Sequence, residues 1–338
     1  MPSKIEWTDE TWNPIRGCTR VSEGCRNCYA ERQAIRMANR GGPYEGLVVI
    51  SNGHPKWTGE LRFVESKLLE PLRWKKPRMI FVNSMSDLFH PAVGRLDLAK
   101  IIAVMLIADW HVFQVLTKRP ERMRDCLSDE NFRQEITDAT AVMLSDGRIT
   151  KVQANDVIEA VYAWPPPHIW WGVSVEDQKT ADERILLLLE TLAAVRWVSY
   201  EPALGPVLFD NGETSWLSCR FNDDYRESND GYCCDAFAER GVHFRGVDWV
   251  VCGGESGPGA RPMYPDWARS LRDQCAAAGV PFFFKQWGEF LPPVQDGNPD
   301  TPGGQDLNLT DDPIRIGKKA AGRLLDGVEH NEYPEVAK

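Results

Sequence analysis

The chain has 338 residues, 43% of them hydrophobic and 26% charged, with a formal net charge of -10. These are globular proportions, so wholesale disorder is excluded, and the acidic balance argues against a protein that coats nucleic acid through charge alone. The longest apolar run, Ile101 to Ala108, is far short of a membrane span, and Met1 to Glu6 lack the apolar stretch of a secretory signal, so a cytoplasmic location with no membrane partner is expected.

The length fits about two average domains, or one α/β barrel with insertions. Trp12 to Gly17 is short and turn-rich and leads into a cysteine cluster; Tyr29 to Asn39 then has helical spacing, stopped by Gly41-Gly42. Short apolar runs follow at Met79–Asn83, His111–Leu116, Ile169–Val175, Arg196–Ser199, Val247–Cys252 and Pro281–Phe284. Helical stretches stand between them at Leu96–Ala108, Thr180–Ala194 and Asp266–Ala278. Strands apolar on both faces and separated by amphipathic helices predict a parallel sheet covered by helices. The expected fold is α/β, a partial (β/α) TIM-like barrel of six or seven parallel strands over residues 1–290. It carries two insertions, at about 128–167 (with a helix at Asn155–Ala163) and 209–245. Residues 291–338 read as an irregular tail with a short helix near Lys318–Leu325.

Each apolar run ends in polar or charged residues: Ser84-Met85-Ser86-Asp87, Thr117-Lys118-Arg119, Ser174-Val175-Glu176, Ser199-Tyr200-Glu201, Gly253-Gly254-Glu255-Ser256 and Lys285-Gln286. In parallel α/β folds ligands bind outside the carboxyl ends of the strands, so the recurrence of polar ends predicts one large site. Any single one of them reads equally well as the start of a solvent loop.

Cys18, Cys25 and Cys28 stand as Cys-x6-Cys-x2-Cys, flanked by Arg16, Arg20 and Arg26. Two thiolates two residues apart can share one metal centre within a tight turn, and the arginines would stabilise thiolates. Structural zinc wants four protein ligands, and ferredoxin-type clusters use four cysteines. Here no fourth Cys or His is adjacent; His54 is the nearest in sequence and Cys126 is far along the chain. Three local thiolates suit a [4Fe–4S] cluster with one iron open to a ligand. A zinc knuckle with a distant fourth ligand and a set of inert buried cysteines are the alternatives.

The three cysteines after a first strand resemble the radical S-adenosylmethionine (SAM) superfamily. Asn13-Pro14, Gly17-Cys18 and Cys28-Tyr29 resemble its spore photoproduct lyase-like branch. The first spacer is longer than the superfamily's usual one, and Asn27 stands where an aromatic usually precedes the last cysteine. More closely, the chain resembles a phage and bacterial family marked by a three-cysteine motif. The resemblance runs from Trp12 to Ala30, then through Trp171–Glu176, Ser199–Pro202, Gly253–Gly257, Phe283–Gly288 and Gly317–Arg323.

The resemblance implies a [4Fe–4S] cluster on Cys18, Cys25 and Cys28, with SAM chelated at the open iron and cleaved reductively to a 5′-deoxyadenosyl radical that abstracts hydrogen from a substrate. It places the SAM ammonium near Ser84, Ser86 and Asp87. Ser174 and Glu176 suit the ribose hydroxyls, and Gly253-Gly254, beside Glu255, allows close backbone approach. It further implies a flavodoxin- or ferredoxin-type electron donor and, through the lyase-like branch, a nucleic acid or nucleotide substrate. Lys285, on the face of Phe283, reads as a binder of an anionic substrate group or as half of a structural ion pair with Glu201 or Glu255. Cys252 would donate a hydrogen atom or fill the core. Lys118-Arg119, Arg122 and Arg124 are candidates for phosphate contacts, and Cys219, Cys233 and Cys234 for a second metal. A non-catalytic, zinc-stabilised interaction module is the competing class, and a barrel that binds SAM without cleaving it is a third reading.

Overall fold

The computed structural model describes Ser3 and residues 5–209, 215–217, 246–290 and 314–335. Cys219, Cys233 and Cys234 lie outside these, as do most of the second expected insertion and the first part of the tail. The chain is α/β, with seven parallel strands in one sheet of the partial-barrel kind expected. It divides into two compact units: one up to Ser174 together with Thr191–Val195, the other Val175–Glu190 and the described residues from Arg196 onward.

In the first unit, β1 (Glu10–Trp12) pairs with β6 (Met79–Val82), β6 with β7 (Val112–Thr117), and β7 with β8 (Ile169–Val175), all parallel. Every residue of β8 is buried, which is why its sequence shows no alternation. Between β6 and β7 runs α3 (Arg95–Ile107), whose residues from Ile101 to Ile107 are all buried. A helix apolar all round needs cover on its outer side. The cover is a pair of helices, α5 (Glu130–Ser145) and α6 (Lys151–Tyr162), which follow α4 (Pro120–Ser128) and pack on α3. The first insertion therefore holds two packed helices where one was expected. In α5, Asp129 caps the N-terminus and Phe132, Ile136, Ala139 and Met143 form the buried stripe, a pattern diluted by the acidic and polar residues between them.

Two small ribbons escaped the sequence reading. β2 (Ile15–Arg16) pairs with β5 (Arg62–Phe63), and β3 (Val48–Ser51) with β4 (His54–Trp57), both antiparallel. The β3–β4 ribbon and α1 (Tyr29–Arg36) contribute to a small core of Ala30, Ala34, Tyr44, Leu47, Val48, Trp57 and Met85, against which Cys18 and Cys28 pack. A short helix, α2 (Glu65–Leu68), leads on from β5.

In the second unit, β9 (Val195–Tyr200), β10 (Trp249–Gly253) and β11 (Phe282–Gln286) pair in parallel in that order. Asp177 and Thr180 form a reciprocal cap at the start of α7 (Gln178–Leu189). The helix α8 (Pro265–Ala278) begins on Pro265 and stops at Gly279, which takes φ +64. The tail packs back on this unit. Trp249 stacks on Tyr333 at 5.2 Å, and Asp326 receives both Arg269 and Arg272. Its helix, α9 (Lys318–Ala321), is shorter than expected, because Gly322 takes φ +71 and ends it. No helix among the described residues is long and apolar enough to cross a membrane.

Candidate functional site

The cysteine loop lies between β2 and α1. It opens on Gly17, which takes φ +95 and passes so close to residue 60 that a Cβ would meet the Glu60 carbonyl oxygen at 2.2 Å. Only glycine fits both conditions. Cys25 closes a short 3-10 turn through its N–H to the Ser22 carbonyl at 3.0 Å, and Cys28 is the residue before α1. Arg20, at the middle of the loop, donates from Nε to Glu31 Oε1 at 3.0 Å and from a second nitrogen to Oε2, and the buried Glu31 also accepts the Trp57 N–H at 3.1 Å. Of the three arginines expected to stabilise thiolates, Arg20 anchors the loop to α1 and β4 while staying within electrostatic reach of Cys25 and Cys28.

Burial pushes the Cys18 thiol up to about 12, with Asp87 adding to the rise and Arg119 opposing it; burial raises the Cys28 thiol too. Cys18 feels charge on both Cys25 and Cys28, so the three sulfurs lie within electrostatic reach of one another. Among the described residues, however, no group of three or more His, Cys, Asp or Glu is drawn together as a ready metal site.

The loop after β6 is clamped to the N-terminal segment. Asn83 takes φ +60 and accepts the Ile15 N–H at 3.4 Å; Ser84 Oγ donates to Asn13 Oδ1 at 3.2 Å; Ser86 Oγ donates to the Ile15 carbonyl at 2.9 Å. The Ser84 carbonyl also accepts the Tyr29 hydroxyl. Asp87 accepts from Thr117 Oγ1 at 2.7 Å, Arg119 Nη1 at 2.7 Å, and the N–H groups of Phe89 and Lys118 at 3.0 and 3.1 Å. Four donors fill a carboxylate's acceptor sites. Asp87 is therefore spent within the fold, whereas the lone pairs of Ser84 and Ser86 remain as acceptors. Arg119 turns onto the cysteine loop, reaching Cys18 Sγ at 3.9 Å and Thr19 at 2.8 and 3.0 Å. Arg122 donates to the His90 and Val93 carbonyls and Arg124 to Asp125. The guanidinium groups expected on phosphates thus have partners within the chain.

In the first unit, Ser174 is buried near the end of β8. In the second, Glu176 is buried against Arg184, with Nη1 at 3.2 Å from both carboxylate oxygens. Glu255 takes three hydrogen bonds at 2.9 Å from Arg261. Glu201 accepts Ser199 Oγ at 3.1 Å and pairs with Lys285 Nζ at 2.9 Å. Of the two carboxylates expected for Lys285, Glu201 is the partner. Gly253 lies under this pair, where a Cβ would come 2.5 Å from Glu201 Oε1, and a Cβ on Gly254 would meet the Trp287 carbonyl oxygen at 2.1 Å. Cys252 is fully buried on β10 beside Tyr200 of β9, and burial raises its thiol well above the ordinary range.

A family model described as "Protein of unknown function (DUF5131)" matches residues 2–334. The chain belongs to this family. No match was found among curated proteins or among solved structures.

The donor chemistry of this DUF5131 chain suits a cluster with three protein ligands: three sulfurs on one loop, each half-buried, with a cation's N–H directed at Cys18. Among the described residues the three cysteines do not themselves form a ready metal-holding group, and neither proposed fourth zinc ligand joins them. His54 is exposed on β4, and Cys126 is buried on α4. The sequence reading missed the joint role of Arg119 and Asp87. The polar end of each strand marked them as candidates, but nothing in their spacing tells that one neutralises the other over Cys18.

Proposed function

We propose that the protein is an enzyme of the radical SAM type, with Cys18, Cys25 and Cys28 holding a [4Fe–4S] cluster. Bound there, the cluster would supply the electron that splits the sulfonium of SAM and so starts hydrogen abstraction from a substrate. The single observation that carries the reading is the one loop between β2 and α1 that bears Cys18, Cys25 and Cys28, with Cys18 and Cys28 packed on the same small core.

The chain's own residues then have distinct tasks. Ser84 and Ser86 present hydroxyl lone pairs suited to an ammonium group. The space beside Gly253 and Gly254 is taken by Glu201 and by the Trp287 carbonyl, so these two glycines serve chain packing and not the approach of a ligand. Lys285, held by Glu201, offers a cation to an anionic substrate group. By its resemblance to the lyase-like branch a nucleotide or nucleic acid is the substrate class, and the chemistry calls for a flavodoxin- or ferredoxin-type electron donor. Cys252, fully buried on β10, fills the core and does not face a substrate.

The test is anaerobic. Protein reconstituted with iron and sulfide, given SAM and dithionite, is expected to release 5′-deoxyadenosine, and Cys25→Ala is expected to release none. A loaded protein that produces no 5′-deoxyadenosine beyond the Cys25→Ala background defeats the enzymatic reading.

A further inference from the structure

We infer that Arg119 is a positioning residue of the cysteine loop, and that its N–H toward Cys18 raises the reduction potential of the cluster that loop would hold; this rests on the function proposed above.

An almost fully buried arginine must have its charge balanced, and Asp87 Oδ2 at 2.7 Å does this for Arg119, with side-chain exposures of 10% and 7%. A plain ion pair would end there. Instead, the remaining described contacts of this guanidinium all go to two adjacent residues: Nη2 to the Thr19 carbonyl at 3.0 Å and to Thr19 Oγ1 at 2.8 Å, and Nη1 to Cys18 Sγ at 3.9 Å. The fork has one arm on the loop backbone and the other on the sulfur.

Both sides of the fork are fixed. Asp87 cannot swing, because Thr117 Oγ1 and the N–H groups of Phe89 and Lys118 hold it. Thr19 Oγ1 also meets His90 Nε2 at 2.9 Å. His90 Nδ1 accepts the Ala92 N–H at 3.2 Å, so Nε2 carries the ring hydrogen and donates to Thr19. Thr19 is thus gripped by an imidazole and a guanidinium while Cys18 sits beside it.

A cluster bound to three thiolates gains negative charge on reduction. A cation fixed beside one sulfur stabilises the reduced form more than the oxidised one, and hydrogen bonds to cluster sulfurs raise the potential in the same sense. Asp87 alone would act in the opposite direction. Arg119 opposes that effect at Cys18 through its N–H on the sulfur.

Two measurements on the full chain, reconstituted with iron and sulfide, test this. In protein grown with 15N-arginine, pulsed EPR of the dithionite-reduced cluster is expected to show 15N coupling that Arg119→Lys abolishes; a loaded, reduced sample without arginine coupling overturns the inference, with no variant needed. In a redox titration followed by EPR, Arg119→Lys, which keeps the charge and loses the fork, is expected to load iron and sulfide and to titrate at a more negative potential. Thr19→Val, which keeps Arg119 and removes only its hydroxyl acceptor, is expected to melt earlier at an unchanged potential. An unchanged potential in loaded Arg119→Lys, or an equal shift in Thr19→Val, reduces Arg119 to a structural role. Failure of the unmutated chain to take up iron and sulfide at all would instead defeat the proposed function.

Discussion

Lys285 Nζ stands 2.9 Å from Glu201 Oε1, and both side chains are largely withdrawn from water. Removing one partner leaves the other charge stranded. A fully buried pair broken in this way costs about 3–5 kcal/mol, and the partial exposure here brings the expectation for Lys285→Met or Glu201→Gln down to about 2 kcal/mol. The double variant should lose clearly less than the sum, a coupling that urea unfolding of the four proteins would measure. Additive losses would mean that the pair contributes nothing as a pair.

Two glycines are expected to tolerate no side chain. Gly17→Ala places a Cβ at 2.2 Å from the Glu60 carbonyl oxygen at φ +95, and Gly254→Ala places one at 2.1 Å from the Trp287 carbonyl oxygen. Each should cost about 2 kcal/mol or more and exceed Gly147→Ala and Gly327→Ala, which carry only the roughly 1–2 kcal/mol strain of their positive φ because nothing lies within 4 Å of the added carbon. Thermal melts of the four variants check the ranking.

Much of this was legible in the chain. The runs at Met79, His111, Ile169, Arg196, Val247 and Pro281 all became parallel strands within a few residues of the expected bounds, because strands buried on both faces leave an uninterrupted apolar signature. The ribbons Ile15–Arg16 with Arg62–Phe63 and Val48–Ser51 with His54–Trp57 did not stand out, since pairs this short and half exposed carry no alternation. The same holds for function. Cys18, Cys25 and Cys28 announce themselves by local spacing, whereas the bond from Arg119 to Cys18 joins residues far apart in sequence and rests on Asp87, which no local pattern reveals.

Stability should fall on mild acidification. Burial lowers the pKa of His90, His111, His168 and His330 below the ordinary histidine value. The unfolded chain then binds more protons than the folded one, so the contribution is fully present above about pH 6.5 and is lost as pH falls through the lower folded values. Burial alone would raise Asp326, yet Arg269 and Arg272 hold it below its usual range, so its contribution survives until the acid falls well under the ordinary carboxylate pKa. Melting temperature should therefore drop between pH 7 and pH 5, with His168→Asn flattening part of the slope. A flat profile over that interval would contradict the burial of these rings.

Thiol reactivity should sort by burial. Burial raises Cys252 and Cys275 far enough that both stay protonated at pH 8.5, and both are inaccessible. Iodoacetamide on the folded chain should leave them unmodified by mass spectrometry, and denaturant should expose both. Alkylation of Cys252 in the folded chain would contradict its place in the core.

Metal content decides most directly between the enzyme and a zinc-bound module. Anaerobically purified and reconstituted chain is expected to be brown and to hold about four iron and four sulfide per chain, the composition of a [4Fe–4S] cluster, with all of it lost in Cys25→Ala. A colourless chain that carries one zinc per molecule and takes up no iron or sulfide would contradict the account.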